Sequence, residues 1–97
     1  MERQIAIAVL NSIVLVLEAI SRKHLGDARS ALADSMVRVQ GEPGIESQEK
    51  TALIAALREA EENLSSPGAD GRAATAILER ASRKLWNVID RARTELG

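Results

Sequence analysis

The 97 residues contain no cysteine, no phenylalanine and no tyrosine, with one tryptophan, one histidine and two prolines. Without thiols there is no disulfide framework, no thiolate nucleophile and no cysteine-ligated metal. A reducing compartment suits such a chain, and a cytoplasmic location is the expectation. A single histidine excludes a histidine pair on one metal ion within one chain. The near absence of aromatics removes the stacking platforms on which many nucleic-acid modules lay out bases. A net charge of −1 supplies no bulk field toward nucleic acid or anionic lipid.

What is present is alanine, leucine, isoleucine and valine. Alanine and leucine are strong helix formers, and alanine lets helix axes approach closely. The expectation is an all-α chain forming one domain over residues 1–97. Four helices are predicted, over about 3–25, 27–40, 47–64 and 71–96, packed as two helical hairpins in a small four-helix bundle.

Residues 5–20, IAIAVLNSIVLVLEAI, form the organising element. At 100° per residue Ile5, Val16, Val9, Ile20, Ile13, Leu17, Leu10, Val14 and Ile7 cover an arc of about 200°, wider than an ordinary amphipathic stripe. Gln4, Asn11, Glu18 and Arg22 make a polar seam opposite, and Ala8, Ser12 and Ala19 a small-residue flank. Asn11, Ser12 and Glu18 interrupt the run, which falls short of the ~20 apolar residues of a bilayer span. Glu2 and Arg3 cancel where a signal peptide carries net positive charge. The first helix is therefore predicted to be the most buried element, packed mainly on the second and fourth. Its surplus apolar arc implies a homodimer or a partner protein, with Ile7, Leu10, Val14 and Leu17 as candidate interface residues.

Gly26 and Asp27 mark the first joint, Gly26 as a left-handed helix terminator and Asp27 as the next cap. Leu25, Ala28, Leu32, Met36 and Val39 then keep helical spacing. Gly41, Pro43 and Gly44 break the chain decisively. Leu53, Leu57, Ala60 and Leu64 follow coiled-coil-like spacing, and so do Ala74, Leu78, Ala81, Leu85, Val88 and Ala92 after the loop at 65–71. Asp70 is the expected cap of the fourth helix.

Few side chains point to chemistry. His24 lies near Ser21 and Asp27, but three polar residues at a helix end do not make a nucleophile, base and orienting acid. Glu59 and Glu62 turn away from the leucine stripe and lack the Glu-x-x-His pairs of a carboxylate-bridged metal centre. No catalytic residue, metal site or cofactor is assigned, and no enzymatic activity is expected. Arg80, Lys84 and Arg91 share one side of the fourth helix with Arg83 nearby. Residues 41–66 carry two Lys/Arg against six Asp/Glu, and residues 67–97 carry six against four. An acidic third helix beside a basic fourth is the simpler use of that contrast. Trp86, at the margin of the fourth helix's apolar stripe, is either a core-edge residue or an interface anchor.

The composition thus predicts a non-enzymatic interaction module that acts by self-association or by binding a partner protein, in a regulatory or accessory role. A nucleic-acid-associated subunit using Arg80, Arg83, Lys84 and Arg91 is the alternative, and lipid contact through helix 1 a further one. Neither nucleic acid nor membrane is the favoured partner.

Overall fold

A computed structural model describes residues 1–96, with side chains as far as Arg91. It contains four helices: α1 (Arg3–Ser21), α2 (Leu25–Gln40), α3 (Ser47–Ser65) and α4 (Arg72–Leu96). They close a ring in which α1 packs on α2 and α4, and α3 packs on α2 and α4. This is an all-α four-helix bundle built from two consecutive hairpins, with α1 diagonal to α3. It is long and thin, about 46 × 22 × 16 Å. Alanines inside the core permit the narrow section: Ala6, Ala28, Ala60, Ala74 and Ala81 are all buried, and a methyl side chain brings helix axes close.

Among the described side chains α1 supplies six buried residues, Ala6, Val9, Leu10, Ile13, Val16 and Ile20, more than any other helix. Ile13 and Val16 are fully enclosed together with Leu32, Leu57 and Leu78. Ile5, Ile7, Leu17 and Ala19 are half-buried against the same cluster. Most of the wide apolar arc is thus absorbed within the chain. By length and composition α1 could cross a membrane, with a mean hydropathy of 2.0 over a window that is one-third buried.

The first joint differs from expectation. α1 ends at Ser21, not near residue 25, because Lys23 adopts the left-handed conformation at φ 61°. The Lys23 amide then donates to the Ile20 carbonyl and the His24 amide to that of Ala19, each at 2.9 Å. This paired closure satisfies the last carbonyls of the helix. Gly26 plays no part in it: it lies inside the first turn of α2, with nothing within 4 Å of a Cβ built there. Asp27 is likewise a first-turn residue rather than a cap, and α2 has no side-chain cap hydrogen bond.

The other joints hold more firmly. Lys50 Nζ donates to the Gln40 carbonyl at 3.2 Å, tying the start of α3 to the end of α2. Gly44 lies against Ile5, whose Cδ1 atom would have to shift to admit a side chain there. Ile45 from this loop is buried. Before α4 the Asp70 Oδ1 atom accepts from the Arg72 amide at 3.0 Å. The carboxylate therefore serves a first-turn donor, as expected, from one position ahead of Gly71, whose carbonyl accepts from Thr75 at 2.9 Å. Ser35, the one buried polar residue among those described, is satisfied by the Ala31 carbonyl at 2.9 Å.

Candidate functional site

Antiparallel α3 and α4 present to each other mostly short side chains: Ala52, Ala55 and Ala56 from α3, and Ala81 from α4. Methyl groups do not fill the space that leucines would, and a groove of about 430 Å³ runs between the two helices. Leu53, Leu85, Ile77 and Val88 complete its apolar floor. Its two walls carry opposite charge. Glu49 and Glu59 stand on the α3 side, and Arg80, Lys84 and Arg91 on the α4 side.

Glu59, Arg80, Lys84 and Arg91 are exposed. Among the described residues no ion pair within 4 Å joins the two walls. Glu49 is half-buried. Its Oε2 atom is buried without a hydrogen-bond partner and lies 3.8 Å from the amino group of Met1.

Three of the four basic residues singled out in the sequence therefore converge on one surface, and Arg83 does not line it. The candidate interface on α1 is divided. Leu10 is buried and has nothing to offer a partner, Ile7 and Leu17 are half-buried on the core, and Val14 is 40% exposed. Trp86 is 53% exposed. Two residues beyond Lys84, it stands about 200° round the helix from that residue and so faces away from the groove. Leu15 on α1 and Val37 on α2 are exposed more fully still, at 61% and 68%.

No catalytic arrangement forms around His24. Its Nδ1 lies 3.9 Å from Asp27 Oδ2 on an exposed surface, while the Ser21 hydroxyl donates to the Glu18 carbonyl at 2.8 Å. A serine bonded to its own helix is not a nucleophile poised on an imidazole. Among the described residues no three His, Asp or Glu side chains gather as a metal site would require.

The groove itself escaped sequence reading. Ala52, Ala55 and Ala56 register there as helix formers, whereas their structural effect is missing volume opposite Ala81. The signal was the run of alanines flanking the leucine stripe at 53, 57 and 64. No family model, curated protein or solved structure matches this chain.

Proposed function

We propose that this chain is a non-enzymatic protein-binding module that receives its partner in the α3–α4 groove. The observation that carries the reading is the pairing of an apolar floor with one acidic and one basic wall. An apolar floor rewards burial of side chains, and walls of opposite sign fix the orientation of whatever enters. The ligand that satisfies all three is a polypeptide surface, which can carry both charges and an apolar ridge. The exposed residues Arg80, Lys84 and Arg91 give it electrostatic steering at little cost.

A nucleic acid meets this surface less well. Phosphates would gain from Arg80, Lys84 and Arg91 but would face Glu49 and Glu59 across the same groove, and like charges brought together raise the free energy of binding. Lipid contact through α1 would compete with the core, which already holds Val9, Ile13 and Val16.

The test is photo-crosslinking in the native host from a reactive side chain placed at Ala55, beside an identical one at the exposed Asp34 on α2. Discrete protein adducts from position 55 and none from position 34 are the expected result. Nucleic-acid adducts, or no protein adduct from position 55, would overturn the reading.

A further inference from the structure

We infer that the partner seated in this groove is the same groove of a second copy, the two chains related by a twofold axis parallel to the helices. The inference rests on the protein-binding reading above and names the occupant.

Glu49 and Glu59 are ten residues apart on α3, and Arg80 and Arg91 eleven apart on α4. At 1.5 Å per residue these intervals are about 15 Å and about 16 Å. Because α3 and α4 run in opposite directions from their connecting loop, Glu59 lies about 9 Å along α3 and Arg80 about 12 Å along α4, and Glu49 about 24 Å and Arg91 about 28 Å, so that each acidic residue of the groove stands within about a turn of a basic one. Each acidic residue thus has a basic residue near its own level on the opposite wall, and among the described residues no ion pair within 4 Å joins them; Glu49 meets the Met1 amino group instead, at 3.8 Å.

A twofold rotation about an axis parallel to the helices preserves height and exchanges left for right. It lays the acidic wall of each copy over the basic wall of the other. Glu59 then meets Arg80 of the second copy, Glu49 meets Arg91, and each contact occurs twice, as an isologous interface requires. The perpendicular axis in the plane of the interface would instead lay acid on acid. Ala52, Ala55 and Ala56 are small enough for close approach, and the stem of Lys84 crosses the opposing chain near Ala55, where a long aliphatic chain can lie on a methyl surface. Glu59 and Arg80, joined by no ion pair within 4 Å among the described residues of one chain, are paired in two.

The experiment is the mass in solution of the full 10.4 kDa chain and of two single variants, Glu59→Lys and Arg80→Glu. Both positions are exposed, so circular dichroism is expected to show an unchanged fold. The parent should reach twice the chain mass at micromolar concentrations. Each variant alone should associate about tenfold more weakly or worse, since like charges then meet twice. An equimolar mixture should recover dimerisation, because a mixed pair restores both contacts, one as in the parent and one with the charges exchanged.

A parent that stays at chain mass up to hundreds of micromolar overturns self-pairing. So do variants that dimerise as well as the parent, or a mixture that fails to recover. If self-pairing fails while position 55 still captures a different protein in cells, the protein-binding reading survives with another occupant. If both fail, the reading falls as well.

Discussion

Gly71 lies so close to Ile20 that a Cβ built on it would stand 2.5 Å from the Ile20 Cγ2 atom. The contact locks the entrance of α4 onto the end of α1, and closes the ring of helices between the first and last elements of the chain. Gly71 is buried and adopts φ +85°, which an L side chain rarely tolerates.

Gly71→Ala should therefore cost about 2–4 kcal/mol, from the left-handed backbone and the overpacked contact together. Gly26→Ala, in a helical turn with open space around it, should instead stabilise by about 0.5–1 kcal/mol, because glycine weakens a helix relative to alanine. Urea unfolding of both variants checks the pair. Equal effects would mean that Gly71 does not meet Ile20 as described.

Lys23 holds a left-handed position that glycine occupies at lower cost. Lys23→Gly should stabilise by about 0.5–1 kcal/mol, the part of the steric penalty that survives glycine's greater freedom in the unfolded chain. A loss of stability in thermal or urea unfolding would contradict the paired closure at the end of α1.

Ile13 and Leu15 divide α1 into an inner and an outer face. Ile13→Ala removes a fully enclosed side chain and should cost about 3 kcal/mol or more. Leu15→Ala, at a position 61% exposed, should change stability by less than about 0.5 kcal/mol. Similar losses at both sites, again by urea unfolding, would mean that α1 is not the core helix of the bundle.

Capping of α4 gives a smaller effect. Asp70→Ala removes the acceptor of the Arg72 amide and should cost about 1 kcal/mol. Asp70→Asn keeps an acceptor and should recover most of that, with the comparison made by thermal unfolding at fixed pH.

Much of this architecture is legible in residue spacing. Leu53, Leu57 and Leu64 on α3, and Leu78 and Leu85 on α4, mark core faces by their intervals alone, and all are buried. Pro43 between two glycines, and Pro67 before Gly68, mark loops because a missing donor and a flexible backbone are properties of the residues themselves. The end of α1 was not legible. Gly26 looked like the terminator, but the left-handed turn fell on Lys23, whose side chain carries no local sign of that strain. Nor could the helical wheel say which neighbour would cover each residue of α1. Leu10 went to the core, while Val14, about 40° away on the wheel, remained exposed. The groove lies further still from the sequence, since it records what Ala52, Ala56 and Ala81 leave unfilled between two helices. The acidic third and basic fourth segments are evident in the residue counts, whereas their facing across one groove appears only in the fold.

The central claim is that the α3–α4 groove, rather than the outer face of α1, is the surface this protein covers. Because the chain has no cysteine, one introduced thiol reports on one place. The direct measurement is the rate at which a thiol reagent labels Ala55→Cys and, separately, Leu15→Cys as the protein is concentrated from sub-micromolar to hundreds of micromolar. Labelling at position 55 should slow as copies pair, while labelling at position 15 stays constant. Protection at position 15 with none at position 55, or no change at either, would contradict the account.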